Sequence, residues 1–371
     1  VLIAIKSLGH GGAERLVVDT VASGDHDAFE YEVAFVLSAA DALVPAITAV
    51  GTPVHDLGGV RNLDLRWLLA FRDLLRRGRF DVVHFHLPYT AALGRLVVAT
   101  LPRDQRPVTI YTEHSLWNKV AVMVKWLNRS TIGWDRALIA VSPAAFDALP
   151  VALRRRAQVV VHGVDLSLSA TVLARRHQIR KEVRDSLDIP PDDVLVVTVA
   201  NLRSEKGYDV LLDTAHLASQ RDLPMRFAAA GQGALEGELV ARAHDLGLGD
   251  RFQFLGHRED ALRLIAGADV FVLASRQEGL PVALMEAMSV GAAVAATSVG
   301  GVPLVIKDGV NGLIVPPGDP ERLFGALERL GSDPELRSRL GTQALADSAA
   351  FDVARSSHEI EDIYRRVLAG R

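Results

Sequence analysis

The sequence of 371 residues contains no cysteine. Disulfide frameworks, thiolate metal sites, iron–sulfur clusters and a cysteine nucleophile are thereby excluded. Long apolar runs are missing too. Ala268–Ser275 is broken by Asp269 and Gly291–Pro303 by glycines, so neither spans a membrane, although mean hydropathy is +0.19. There is no basic excess either: 41 Lys and Arg against 45 Asp and Glu leave a formal charge of −4, which argues against a nucleic-acid partner. Asp25-His26-Asp27 is the nearest approach to an Asp-x-Asp metal motif, and it reads as a surface loop. No leader segment is visible, and Val1 already opens a strand-like run. The expectation is a cytoplasmic protein whose natural start lies slightly upstream.

What remains is an ordinary packed composition, 49% apolar and 23% charged. Short Val/Ile-rich runs alternate with longer amphipathic stretches. In the first half they are Val1–Ile5, Tyr31–Leu37, Asp81–Leu87, Val108–Thr112, Ala137–Val141 and Gln158–Val161. In the second they are Val194–Ala200, Arg226–Ala230, Arg251–Leu255, Val270–Ala274, Ala293–Thr297 and Leu313–Val315. Apolar strands with helical spacers predict parallel sheets buried on both faces. The pattern pauses over the polar, helical-looking stretch Asp165–Asp193. This central break favours two Rossmann-like α/β domains, 1–164 and 165–351, over a (β/α)₈ barrel. A last helix over 352–371, with an apolar stripe at Ile360, Ile363, Tyr364, Val367 and Leu368, is expected to pack back on the first domain.

The most informative stretch is SRQEGLPVALMEAMSVG, Ser275–Gly291, directly after a strand. Pro281 suits the first position of a helix, predicted over 281–290. Free N–H groups near Gly279, Leu280 and Val282 would then form a binding end for an anion or a hydroxyl. Glu278 lies just outside this helix, and Glu286 falls about 7.5 Å along its axis. That spacing lets one carboxylate meet a sugar and the other a nucleotide ribose, with a pyrophosphate between them. On spacing alone a loop charge and a solvated helix position fit equally well.

These residues, with others, carry a resemblance. EGLPVALME resembles the E-x7-E signature of retaining glycosyltransferases of the GT-B fold, family four. So do HGGAER, DVVHFHLP, YTEHS, VSPAAFDAL, VHGVDL, VANLRSEKGYDVLL, AGQG, FLGHREDALRLIAGADVFVLAS and GGVPLVIKDGVNGLIVPPGD, which together span nearly the whole chain. The resemblance implies two Rossmann-like domains facing across a cleft. It implies transfer of a sugar from a nucleoside diphosphate sugar, UDP-sugars being the expected donors, with retention at the anomeric carbon and without a metal or other cofactor. Glu278 and the backbone of Gly279, Leu280 and Pro281 would contact the donor sugar, and Glu286 the ribose. Lys206 matches the family lysine on the leaving diphosphate. The usual arginine is replaced by Asn201, and Arg203, two residues on, is the candidate substitute. His114 matches the family histidine near the sugar O6. The glycine loop with Gly11 and Gly12 would close over the donor phosphate and help shape the acceptor site.

Weaker candidates complete the set. His84 and His86 end a first-domain strand; substrate contact is preferred for His86, and a core histidine with a backbone partner for His84. Gly231 turns a strand toward the nucleotide, and Arg258 is placed against the base. His162 and Leu304 stand where asparagine and glutamate are usual. The segment 116–129, LWNKVAVMVKWLNR, reads either as a core or acceptor-lining helix or as one resting on a membrane surface. The acceptor, whether saccharide, lipid-linked saccharide or small molecule, is not legible. A nucleotide-sugar 2-epimerase, a phosphorylase of similar architecture carrying pyridoxal phosphate, and a non-catalytic nucleotide-sugar-binding protein are the alternatives.

Overall fold

The computed structural model describes residues 1–9, 11–61, 64–114 and 122–370. The chain divides into two compact units, Val1–Gly163 with Val353–Arg371, and Val164–Asp352.

The first unit carries seven strands: β1 (Leu2–Ile5), β2 (Glu32–Leu37), β3 (Val54–Gly59), β4 (Val82–His86), β5 (Val108–Glu113), β6 (Ala137–Ala140) and β7 (Ala157–Val159). Their order is β3-β2-β1-β4-β5-β6-β7, and every pairing is parallel. Alternate residues of β1 enter different cores. Leu2 and Ala4 pack with Trp67, Phe71 and Phe85, while Ile3 and Ile5 pack with Val17, Ile360, Ile363 and Tyr364. Burial on both faces is why the central strands read as unbroken apolar runs. Strand β3 was not expected from the sequence. It pairs only with β2 at the sheet edge, and its polar, half-exposed VHDLGG presents no such run. The closing helix is Val353–Ala369, and it lays Ile360, Ile363 and Tyr364 into the second of these cores.

The second unit carries six strands: β8 (Val194–Val199), β9 (Met225–Ala230), β10 (Phe252–Phe254), β11 (Val270–Leu273), β12 (Ala293–Thr297) and β13 (Leu313–Val315), in the order β10-β9-β8-β11-β12-β13. They too are parallel throughout. Helices Leu166–Ala174 and Arg176–Ser186 occupy the mid-chain pause. In both sheets the strand order reverses once, between β1 and β4 and between β8 and β11. At such a reversal the connecting helices leave toward opposite faces of the sheet, and a crevice opens beyond the C-terminal strand ends.

Candidate functional site

Two loops of the second unit leave the strands flanking its reversal, 200–207 after β8 and 274–281 after β11. They are joined to each other. The N–H of Arg276 donates to the carbonyl of Glu205 at 2.8 Å, and the guanidinium of Arg276 pairs with Asp209. Across this junction the ammonium of Lys206 donates to both carboxylate oxygens of Glu278, at 2.7 and 2.8 Å. Ser275 Oγ donates to the same carboxylate at 2.6 Å. Glu278 is buried at 7% exposure, and its charge is held by this pairing rather than by water. Glu278 is thus neither a free loop charge nor a solvated one.

The loop is supported from behind by residues that sequence reasoning overlooked. Thr297 Oγ1 donates to the carbonyl of Ser275, and the N–H of Gly301 donates to the carbonyl of Gly279 at 2.6 Å. Gly300 adopts φ +54°, and a Cβ there would lie 1.9 Å from the carbonyl oxygen of Glu278. Only glycine fits such a left-handed turn against another backbone. The tandem glycine in the turn after β12 was the available signal. Helix Val282–Ser289 starts one residue later than the sequence suggested. Pro281 is its N-cap, with extended backbone at φ −76° and ψ 122°, not its first turn. Leu280 is buried, while Gly279 and Glu286 are half-buried. Among the described residues nothing accepts a hydrogen bond from the N–H groups of Gly279 and Leu280. Those donors sit beside the buried carboxylate and before a helix start, an arrangement that binds hydroxyls and anions.

The remaining residues expected here are placed less uniformly. Gly231, after β9, approaches the loop closely: a Cβ would lie 1.9 Å from the carbonyl oxygen of Ala200. Asn201 is half-buried and its carbonyl accepts from the N–H of Arg203. The side chain of Arg203 is 64% exposed, with Glu205 at 4.0 Å as its ion-pair partner, and it touches neither Lys206 nor Glu278. Arg258 is clamped by Asp260 through two in-plane contacts of 2.7 and 2.8 Å, which leaves its flat faces for stacking.

In the first unit the corresponding loops follow β1 and β4. Gly11 caps helix Gly12–Ala22, and the carboxylate of Glu14 folds over it, accepting from Ser7 Oγ at 2.7 Å. The Glu14 carboxylate thus covers Gly11, whereas a Cβ on Gly12 would meet nothing within 4 Å. His10 lies outside the described residues, as do 116–121 of the amphipathic segment; Val122–Thr131 is helical. His84 is a core histidine, but its partners are side chains rather than backbone: Nδ1 meets Tyr364 Oη at 2.7 Å and Nε2 meets Thr112 Oγ1 at 2.6 Å. His86 Nδ1 meets His114 Nε2 at 2.9 Å. Burial pushes the His84 imidazole down to about 3, the nearby His114 adding to the effect. Burial likewise holds His86 and His114 well below the usual histidine range, with His84 adding to the effect on His86, and His86 and then His162 to that on His114. These rings are neutral at pH 7, so each offers one donor and one acceptor. Among the described residues His86 Nε2 is buried without a hydrogen-bond partner. Sequence reading also missed the coupling of His162 to His114. Leu304 is exposed. Among the described residues no three His, Asp or Glu side chains are grouped for a metal ion, and no helix is long and apolar enough to cross a membrane.

Two family profiles match the chain: "Glycosyl transferases group 1" over residues 179–347 and "Glycosyltransferase Family 4" over residues 10–168. The alpha-D-kanosaminyltransferase of Streptomyces kanamyceticus is 28% identical over 324 residues, covering 82% of each protein. An Escherichia coli UDP-Gal:alpha-D-GlcNAc-diphosphoundecaprenol alpha-1,3-galactosyltransferase is 24% identical, over 81% of this chain and 79% of its own. Among solved structures, Anabaena Alr3699/HepE in complex with UDP-glucose superposes with a TM-score of 0.83 at 20% identity, covering 98% of this chain and 99% of its own. A likeness at that identity establishes the fold, α/β of the GT-B type.

Proposed function

The chain belongs to the group 1 glycosyltransferases, and on that footing we propose that it moves a sugar from a UDP-sugar, held by the second unit, to an acceptor hydroxyl with retention at the anomeric carbon. The observation that carries this reading is the meeting of Lys206 and Glu278 at the sheet reversal, beside unengaged N–H groups. The donor sugar lies against Glu278 and the backbone of Gly279–Pro281, and Glu286 accepts from the ribose hydroxyls. Two of the named relatives are sugar transferases, one with a UDP-sugar in its name, which supports the donor class.

In the proposed reaction the bond from the anomeric carbon to the diphosphate breaks, and one to the acceptor oxygen forms on the same face. The acceptor proton passes to the departing phosphate, so no strong protein base is needed. Negative charge grows on the leaving diphosphate. Lys206, with three N–H donors of which Glu278 takes two, is the group positioned to meet it. Arg203 is long and free enough to swing in, and supplies the charge that Asn201 does not. His86 and His114, neutral and uncharged donors, orient hydroxyl groups of a bound saccharide. When the acceptor is lipid-linked, the exposed Val122, Met123 and Trp126 with Lys125 and Arg129 rest on the membrane surface. No metal or other cofactor takes part.

The test is to incubate the full chain with UDP-glucose, UDP-galactose and UDP-N-acetylglucosamine and candidate saccharide or lipid-linked acceptors. Proton NMR of the product should show the donor's anomeric configuration retained. Product of inverted configuration would refute retention, and absence of turnover or slow hydrolysis with every donor would refute catalysis.

A further inference from the structure

At the opposite end of the second sheet lies a cavity of about 290 Å³ that the transfer reaction does not use. It sits where β11 and β12 begin, whereas the Glu278 loop leaves the far end of β11. Its walls come from helix Arg176–Ser186, helix Pro334–Ser348 and the turn at Gly291. Gly291 stands at φ +63°, and a Cβ on Gly341 would lie 2.4 Å from the Gly291 carbonyl oxygen, so bare backbone closes one side.

Charge is what sets this cavity apart. Arg176, Arg180 and Arg337 line it against a single carboxylate, Asp269. That carboxylate is already consumed: one oxygen accepts from Arg180 at 2.6 Å, the other from Arg184 at 2.9 Å and from the N–H of Leu195 at 2.9 Å. Arg337 is turned onto the carbonyls of Leu330 and Gly331 at the end of helix Pro320–Ser332. Among the described residues the Arg176 guanidinium has only a long 3.4 Å contact, to the Gly291 carbonyl. Burial and then the neighbouring Arg180 work against its charge, and Asp269, already paired to Arg180 and Arg184, offsets them only in part. A guanidinium kept partly dehydrated beside like charge, with no carboxylate of its own, is a cation awaiting an anion. Ser338 and Thr342 add hydroxyl donors to the same wall.

We infer that this cavity is a binding site for a phosphate group, carried by a small phosphate ester or by an anionic lipid headgroup, with Arg176 as its principal ligand. A phosphate fits the guanidinium through two parallel N–H···O bonds, and the volume leaves room for one small substituent. The inference does not depend on the donor reading, because no residue is shared with it.

Isothermal titration of the full chain with inorganic phosphate provides the test, with Arg176→Gln as the probe variant and Arg242→Gln, an exposed guanidinium of the same unit outside the cavity, as the control. Arg176→Gln removes only the long contact, so folding should be kept, and circular dichroism checks this. Binding should weaken about 10-fold or more in Arg176→Gln, the loss of one good charge-assisted pair, and stay unchanged in Arg242→Gln. Sedimentation with phosphatidylglycerol vesicles forms the second arm. Phosphate binding without pelleting assigns a soluble ester, whereas pelleting that Arg176→Gln abolishes assigns a lipid headgroup. An Arg176→Gln variant that matches the parent in both arms overturns the inference, as does an equal loss of phosphate binding in Arg242→Gln.

Discussion

Removing the ammonium of Lys206 should destabilise the second unit by an amount that removing Glu278 as well largely restores. In the native protein Lys206 meets both oxygens of a carboxylate whose side chain is 6% exposed, and among the described residues only Ser275 Oγ otherwise donates to it. Breaking a buried pair from one side costs about 3–5 kcal/mol, because the orphaned charge stays dehydrated. The Lys206 side chain is itself 22% exposed, so water partly replaces it and the lower figure, about 3 kcal/mol, applies. For a unit of 150–250 residues, 1 kcal/mol moves the melting temperature by roughly 2–4 °C, so Lys206→Met should lower it by about 6–12 °C. In Lys206→Met with Glu278→Gln the neutral amide still accepts from Ser275, and at least half of that loss should return. Calorimetry, with hydrogen exchange at the amides of β8 and β11 to locate the effect, measures it. The reasoning fails if the two single changes add to within about 0.5 kcal/mol of the double variant, since independent sites behave that way.

Gly300→Ala should keep native circular dichroism yet weaken UDP-sugar binding about 10-fold or more, because its Cβ would lie 1.9 Å from the Glu278 carbonyl oxygen and push the loop aside; unchanged titration curves would refute the buttress. Glu286→Ala should reduce the thermal shift given by every nucleotide-sugar tested, a shift worth about 2.7 kcal/mol at a hundredfold excess over Kd. If the shifts match those of the parent, Glu286 does not hold the ribose. Acid should weaken the first unit early. The unfolded chain protonates its histidines near pH 6.5, while native His84 stays neutral down to about 3. The unfolded state therefore binds the extra proton, and stability present above pH 6.5 is lost as pH falls toward 3, by about 1.4 kcal/mol per pH unit for each such histidine. Melting at pH 7 and pH 5 reads the loss, and an NMR titration of the His84 ring with a midpoint near 6.5 would contradict it.

Much of this was legible in the chain itself. Strands buried on both faces leave unbroken apolar runs, so two parallel α/β domains could be read from Leu2–Ile5 or Val270–Leu273 without coordinates. The polar edge strand Val54–Gly59 carries no such run and went unseen, since only its pairing with Glu32–Leu37 makes it a strand. The same limit applies at the site. Glu278 and Lys206 announce themselves as charged residues at strand ends, but 72 positions separate them, and local spacing says nothing about contact over that distance. That they share a salt bridge, that Gly300 props the loop, and that Arg203 points to solvent were settled only by which strands lie adjacent at the sheet reversal. A sequence records which groups are available and the period of their burial. Which of them meet, and how much water each keeps, follows from long-range packing, and those two quantities set the charge state and strength of every pair described above.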